Sequence, residues 1–277
     1  MTPVTMGEII AHVLEGTALA EGGVDGVVYE PGSEAGSADA DAASAAVTGV
    51  AVVFLATQAL LEQATALGVN LVISHEGLFY CHREDGATWL PDDPVVRRKR
   101  ELLRRTGITV VRCHDRPHRC QPDTITAGLV EALGWAPQVV THEPAAAVVA
   151  IEPMTLAQVA RHVKAKLGIP YVRIAGNPEL VCRRIGIAAG YRGGAGVAVP
   201  LIQAHGLDLV IAGEGPEWET PEYVRDAARQ GRPLAYLALG HAESEEPGMR
   251  ALAAQLRERF PGVPVHVLRD EPLFSVL

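Results

Sequence analysis

The stretch Asn70-Leu71-Val72-Ile73-Ser74-His75-Glu76 is an apolar run of strand length that ends in an imidazole and a carboxylate. Two later apolar runs end in the same kinds of side chain. They are residues 108–113, followed by His114 and His118, and residues 234–239, followed by His241 and Glu245. In open α/β sheets, ligands bind beyond the carboxyl ends of the strands, where residues far apart in sequence meet. Because imidazole and carboxylate together suit catalytic transition metals, the pattern predicts an α/β protein with a metal site at its strand ends.

Apolar runs of strand length alternate along the chain with amphipathic stretches of helix length, which is typical of an α/β protein. Predicted strands cover residues 48–56, 70–74, 108–113, 184–189, 207–212, 234–239 and 263–268. Predicted helices cover residues 60–67, 92–106, 122–133, 155–167, 197–205, 221–230 and 244–260. Thr155 is expected to cap the start of its helix, and Gly107 and Gly134 are expected to end theirs.

Two stretches are predicted to be irregular because small and turn-forming residues dominate them. Residues 21–44 are rich in Gly, Ala, Asp and Ser, and we expect a mobile surface loop there. Residues 81–94, around Trp89, are interpreted either as a lid over the site or as a plain surface connection.

The composition is that of an enzyme-sized globular chain, with 277 residues of which 48% are hydrophobic and 21% charged. A net charge of −9 without a long basic block argues against nucleic-acid binding as the main task, because neutralising phosphates needs a basic face. Residues 1–20 lack the basic start and apolar centre of a signal peptide, and no apolar run has the length of a membrane span. We therefore expect a cytoplasmic protein with no membrane association, whose four scattered cysteines are reduced.

Each candidate ligand pair also has a purely structural explanation. His75 could cap a nearby helix while Glu76 faces water. Glu245 and its neighbour Glu246 would suit the positive end of a helix capped by Ser244. Residues 113–120 allow a small structural zinc site, although their spacing matches no two-plus-two zinc finger.

In this order the segments resemble the motifs of the Nif-three-like family, described as dinuclear-metal-centre hexameric proteins and often labelled GTP cyclohydrolase I type 2. The resemblance covers most of the chain. It is carried by Gly240-His241-Ala242-Glu243-Ser244-Glu245 and by Asp208-Leu209-Val210-Ile211-Ala212-Gly213-Glu214, with the glycine-rich residues 185–196 in support. Two positions depart from the family pattern. Glu76 replaces the second histidine of a His-His-Pro motif, and His118 replaces the aspartate of His-Thr-x-x-Asp.

The resemblance implies a two-lobed α/β fold with mixed sheets flanked by helices. Residues 1–125 plus 241–277 would form a metal-binding lobe, and residues 126–240 an inserted α/β lobe. Two divalent ions, of zinc, iron or manganese, would be held by His75, Glu76, His118, His241 and Glu245. The two exchanges leave three imidazoles and two carboxylates, so the kinds of ligand are unchanged. The opposing interpretation is that two ligands have drifted and that the chain binds one metal or none.

The activity implied by the family label is metal-dependent hydrolysis of C–N bonds in a cyclic amidine, within a nucleotide or pterin-type small molecule. Glu245 would be a bridging carboxylate, and Glu243 and His114 are the candidate catalytic residues, with Glu214 as a further hydrogen-bonding or proton-carrying group. A homo-hexamer is implied by the resemblance alone. Two other functions stay open: a ring-forming metal-binding adaptor or metal buffer, and a metal-free nucleotide-binding module that uses the glycine-rich segment.

Overall fold

The computed structural model describes residues 3–15, 23–32, 43–83, 90 and 92–277. The chain forms two compact units, the first made of Met1–Pro117 with Met249–Leu273 and the second of His118–Gly248 with Phe274–Leu277. The predicted lobe boundaries, after residues 125 and 240, differ from these divisions by eight residues each (125 against 117, and 240 against 248). Each unit is a mixed sheet flanked by helices, so the predicted α/β class is confirmed.

The strands in the described ranges are β1 (Gly26–Tyr29), β2 (Val50–Val53), β3 (Leu71–Ser74), β4 (Thr109–Arg112), β5 (Val139–Glu143), β6 (Ala146–Thr155), β7 (Arg173–Ala175), β8 (Val181–Ala188), β9 (Leu209–Ala212), β10 (Ala235–Ala238) and β11 (Val265–Val267). The α-helices there are α1 (Met6–Val13), α2 (Gln58–Ala66), α3 (Pro94–Thr106), α4 (Asp115–Arg119), α5 (Thr124–Ala132), α6 (Leu156–Leu167), α7 (Ala195–His205), α8 (Thr220–Arg229) and α9 (His241–Arg259). None of these helices combines the length and the apolar character that crossing a bilayer requires.

The first unit is built on a five-stranded sheet in the order β1-β4-β3-β2-β11. The four strands from β4 to β11 are parallel, and β1 pairs with β4 in the antiparallel sense at one edge. Strands β2, β3 and β4 are buried along their whole length, as expected of central parallel strands. Ser74 of β3 lies in register with Arg112 of β4. The residues that follow these two strands therefore leave the sheet side by side.

The second unit is built on a six-stranded sheet in the order β5-β6-β8-β9-β10-β7. Strands β8, β9 and β10 are parallel, with Ala188, Ala212 and Ala238 in register. Strands β5, β6 and β7 complete the sheet by antiparallel pairing. As a result, the segments that begin after residues 188, 212 and 238 emerge at one edge of the sheet.

Strand β1 corrects the prediction of an irregular loop over residues 21–44. Three of its four residues, Gly26, Val27 and Tyr29, pair with β4, so pairing with an antiparallel partner orders a segment whose composition does not predict a strand. Elements α1, β5, β6 and β7 were also not predicted. Residues 21–22 and 33–42 of the expected loop, and residues 84–89 and 91 of the expected lid, lie outside the described residues.

Helix boundaries follow the capping signals in the sequence. Thr155 caps α6 with a reciprocal capping box to Gln158, and Gly107 ends α3 in the left-handed conformation, as predicted. Helix α9 begins at His241, three residues before the predicted start at 244. Ser244 is therefore not its N-cap, and its hydroxyl instead donates back to the carbonyl of His241 at 2.8 Å.

Candidate metal centre

In the first unit the structure brings together three of the predicted site residues, His75, Glu76 and His114, at the ends of β3 and β4. The imidazole rings of His75 and His114 are stacked with centroids 4.7 Å apart. Glu76 Oε1 lies 3.5 Å from His114 Nε2. His75 is fully buried, and Nδ1 of its ring lies 3.0 Å from the Cys113 carbonyl oxygen. We name these three residues the first cluster.

Glu76 is a carboxylate surrounded by positive or protonatable groups. Burial raises its pKa, but a hydrogen bond with His114 and the nearby charges of His114, His75 and Arg112 outweigh that effect and lower it to about 2. The carboxylate is therefore ionised at neutral pH, as a metal ligand must be. Glu76 does not simply face water, so the structural explanation offered for it is not the arrangement seen here.

Three residues beside the first cluster were missed by the sequence analysis. His82 packs edge-on against His114 with ring centroids 5.0 Å apart. Glu76, His82 and His114 each offer a ligand atom, and these atoms lie within 4.8 Å of one another. Arg112 donates to Glu76 Oε2 at 2.9 Å, and its place at the end of an apolar strand was a visible signal. Asp25 accepts from the backbone N–H of His114 at 2.6 Å and of Asp115 at 2.8 Å, so it fixes the start of α4.

In the second unit the structure brings together the other three predicted ligands, His118, His241 and Glu245. Glu245 is buried, and its two oxygens face the two histidines: Oε1 lies 3.6 Å from His118 Nε2, and Oε2 lies 3.2 Å from His241 Nε2. One carboxylate thus faces the same nitrogen atom of both rings. We name these residues the second cluster.

Both histidines of the second cluster are tied at their other nitrogen to a carboxylate. His118 Nδ1 lies 2.9 Å from Asp123 Oδ2, and His241 Nδ1 lies 2.9 Å from Glu214 Oε1. Burial lowers the pKa of His118, but hydrogen bonds to Asp123 and Glu245 outweigh it and raise the pKa above its ordinary value. Burial likewise raises the pKa of Asp123, and His118 with Arg192 lowers it overall.

The glycine-rich segment after β8 packs against the second cluster. The Gly190 N–H donates to Ser244 Oγ at 2.8 Å, and the Glu214 N–H donates to the Gly190 carbonyl at 2.9 Å. Gly190 has a φ of +66°, and a Cβ built on it would overlap the Glu245 carboxylate. This segment therefore packs against the predicted ligands, which is a role that its sequence alone did not reveal.

The two predicted catalytic residues differ in their surroundings. His114 belongs to the first cluster, with Nδ1 lying 3.0 Å from Asp115 Oδ1 and Nε2 facing Glu76. The Glu243 carboxylate turns toward the backbone of Gly240, whose φ is +114°. Their proposed parts in proton transfer stay predictions.

Four histidines of the two clusters share one bonding pattern that suits metal ligation. Nδ1 of each ring lies about 3 Å from an oxygen acceptor: the Cys113 carbonyl for His75, Asp115 for His114, Asp123 for His118 and Glu214 for His241. Metal-ligating histidines nearly always donate their second ring N–H to a carbonyl or carboxylate, which fixes the ring and its tautomer. Together with Glu76 and Glu245, these imidazoles are the kinds of group that could hold a metal ion, so the residues of each cluster fit that role.

The comparison with known proteins agrees with the motifs. The family model described as Duf34/NIF3 (NGG1p interacting factor 3) matches residues 37–272. The chain belongs to this family. The predicted membership of the Nif-three-like family is thus confirmed. This chain differs from the expected family motifs at Glu76 and His118.

Proteins similar to this chain include several that carry the name GTP cyclohydrolase 1 type 2 homolog. The protein of Allochromatium vinosum is 28% identical over 220 residues, covering 74% of this chain and 76% of the relative. The protein of Pseudomonas aeruginosa is 30% identical over 216 residues, covering 74% of this chain and 77% of the relative. A crystal structure of a Bacillus cereus protein related to NIF3 has the same fold, with a TM-score of 0.73 at 15% identity over 99% of this chain and 100% of that chain.

Proposed function

We propose that this DUF34/NIF3 protein binds two divalent metal ions and uses them to hydrolyse a small cyclic molecule, with cyclohydrolase-like chemistry on a nucleotide or pterin-type ring. The observation that supports metal binding best is the shared arrangement of the four histidines, each held at Nδ1 by an oxygen acceptor. The names of the relatives suggest the substrate class. We also propose a hexameric assembly and a cytoplasmic location. The inference of metal binding does not depend on either of them.

The ligands that we propose are those predicted from the sequence, with one addition. His75 and Glu76 serve from the first cluster, and His118, His241 and Glu245 from the second. We add His114 to the ligands, because its ring is held by Asp115 in the same way as the other three histidines. Bound divalent ions supply Lewis acidity and make water a stronger nucleophile.

The residues of the chain contribute orientation and proton transfer. Asp123 and Glu214 hold the rings of His118 and His241 and favour the tautomer whose Nε2 carries no proton. Glu243, on the first turn of α9, is the residue that we propose for proton transfer to or from the substrate. The Glu243 carboxylate can accept and donate a proton while the backbone of this residue stays helical.

The decisive experiment is elemental analysis of protein purified without an affinity tag, for the wild type and for Glu76→Ala and His118→Ala. We expect close to two metals per chain in the wild type and fewer in both variants. His205→Ala is the matched control, because His205 Nε2 lies 3.2 Å from Glu143 Oε1 in a histidine–glutamate pair outside both clusters. Wild-type protein that stays free of metal after incubation with zinc, manganese or iron would sink the proposal.

Chelation separates the hydrolase from the adaptor that the sequence left open. Protein loaded with metal is incubated with GTP and with pterins, ring opening is followed by ultraviolet absorbance, and thermal unfolding is measured before and after a chelator. Activity that disappears while unfolding stays nearly unchanged supports the hydrolase. Loss of folding stability without any prior ring opening supports the adaptor.

A further inference from the structure

Arg112 is fully buried in the first unit, and its guanidinium ends at the first cluster. It is the last residue of β4 and lies in register with Ser74 of β3. An arginine is almost never fully buried unless it is paired. The contacts of Arg112 therefore show which group its positive charge is paired with.

The hydrogen bonds of the guanidinium, within the described part of the chain, go to three residues of the segment that follows β3. One terminal nitrogen donates to Glu76 Oε2 at 2.9 Å and lies 3.2 Å from His82 Nδ1. Nε donates to the His75 carbonyl at 3.3 Å, and the other terminal nitrogen donates to the His82 carbonyl. One planar group thus fixes the backbone before and after Glu76 as well as the carboxylate itself, which a lysine amine does not have the geometry to do.

The two oxygens of Glu76 have different surroundings as a consequence. Oε2 accepts from Arg112 and, at 3.3 Å, from the Gly77 N–H. Oε1 faces His114 Nε2 at 3.5 Å. One oxygen is thus engaged by the guanidinium while the other is directed to the imidazole of the cluster. The carboxylate and guanidinium charges, −1 and +1, sum to zero, so the pair has the net charge of a neutral imidazole.

We propose that Arg112 is a positioning residue for metal binding, which turns one oxygen of Glu76 toward the first cluster and cancels the charge of the carboxylate. The Glu76–Arg112 pair then acts as one neutral donor. This inference rests on the proposed function, because it concerns how the same cluster takes up its ion. It also explains how a glutamate serves at a position where the family motif has a histidine.

The proposal requires the two side chains to depend on each other. If Arg112 alone is lost, the partly buried carboxylate of Glu76 keeps its charge and loses its orientation. If Glu76 alone becomes histidine, a buried guanidinium keeps its charge next to the position of a bound cation, and the two repel. If both change, a neutral donor returns with no charge left unpaired.

A double-mutant cycle on the full chain tests this dependence. Zinc affinity, measured by competition with a chromogenic chelator, and the unfolding temperature of the metal-free protein are compared for wild type, Arg112→Met, Glu76→His and the double variant. Each single variant is expected to bind zinc roughly 10- to 100-fold more weakly, the range found for partners that orient metal ligands. The double variant is expected to regain most of that loss and to unfold at a higher temperature than either single variant.

Lys99→Met is the matched control, because Lys99 is the other fully buried cation in the described part of the first unit. Its Nζ donates to the Leu78 carbonyl at 2.6 Å, so this cation supports the backbone of the same segment. This variant is expected to unfold at a lower temperature and to bind zinc as the wild type does. Weakened zinc binding in Lys99→Met that equals the loss in Arg112→Met would show a general effect of packing and overturn the proposal.

Two further results separate this inference from the proposed function. Glu76→His alone binding zinc as tightly as the wild type, or losses in the single variants that simply add in the double variant, would overturn the inference and leave the proposed function standing. Wild-type protein that binds no metal would overturn the proposed function. The inference about metal binding would then fail with it, and the unfolding temperatures would report only whether Arg112 and Glu76 stabilise the fold as a pair.

Discussion

Gly190 and Glu245 are in such close contact that the glycine has no room for a side chain. A Cβ at residue 190 would overlap Glu245 Oε1, lie 2.9 Å from the carboxyl carbon and come within 3.2 Å of His241 Nε2. The backbone of Gly190 also has a φ of +66°, which disfavours other residues. The glycine after β8 therefore sets the position of the carboxylate in the second cluster.

Gly190→Ala is expected to weaken metal binding, because the added methyl group displaces the Glu245 carboxylate. We expect a loss of roughly 10-fold or more in zinc affinity, comparable to the loss of a group that orients a ligand. Gly206→Ala is the control: Gly206 also has a positive φ, of +58°, but a Cβ there meets nothing within 4 Å. Equal zinc affinities for the two variants, measured by chelator competition, would show that backbone strain alone accounts for the effect.

Asp123→Asn is expected to weaken metal binding through His118. Asp123 Oδ2 holds His118 Nδ1, and the neutral amide lacks the charge that favours this ring orientation. We expect a loss of roughly 10- to 100-fold in zinc affinity. Because Asp123 Oδ1 also caps α5, Asp93→Asn is the control: Asp93 caps α3 by the same two backbone bonds. Unchanged zinc affinity in Asp123→Asn would contradict the assigned role of Asp123.

Gly128→Ala is expected to destabilise the second unit. Gly128 lies in α5, where a Cβ would be 2.6 Å from the Cα of Gly248 and 3.1 Å from the Pro247 carbonyl carbon. Forcing extra volume into a close contact costs about 1–3 kcal/mol. Gly196→Ala, in α7, meets nothing within 4 Å and should instead stabilise by up to about 1 kcal/mol, because alanine favours helix. Urea unfolding measures both changes, and the same sign for both would contradict this packing argument.

Cys182 is expected to resist alkylation in the folded protein even at alkaline pH. The thiol is buried in β8, and burial, with a smaller effect from Asp208, raises its pKa to about 12. The thiolate is the reactive form, and at pH 9 only about one molecule in a thousand carries it when the pKa is near 12. Labelling with iodoacetamide at pH 7 and pH 9, read by peptide mass spectrometry, should modify the more exposed Cys81 and spare Cys182. Labelling of Cys182 in urea confirms that the reagent reaches it once unfolded, whereas efficient labelling of native protein at pH 9 would show that the thiol is not protected.

The α/β class, most strand and helix positions and the family could all be predicted from the amino-acid sequence. Strands such as β3 and β4 are nearly continuous apolar runs, as expected of parallel strands that are buried on both faces. The side chains that follow these strands are equally visible, because a strand end is a local feature. Hence His75, Glu76, His114 and His241 could be proposed as site residues from the sequence, and the helix ends at Thr155 and Gly107 were predicted correctly.

The groups that support those residues could not be predicted from the sequence and became apparent from the folded arrangement. Asp25 meets the backbone of His114 from a stretch 89 positions earlier, within a segment that was predicted to be an irregular loop. In the sequence, Arg112 is an ordinary charged residue at the end of a strand. Its hydrogen bond to Glu76 becomes apparent only from the pairing register of β3 and β4. In the sequence, Gly190 is one of several glycines in the same segment. Only the structure shows that the Glu245 side chain of α9 occupies the space next to its Cα. Composition and periodicity report burial and backbone preference, which are local, whereas a hydrogen bond or a steric limit between distant residues exists only once strand pairing has fixed their separation.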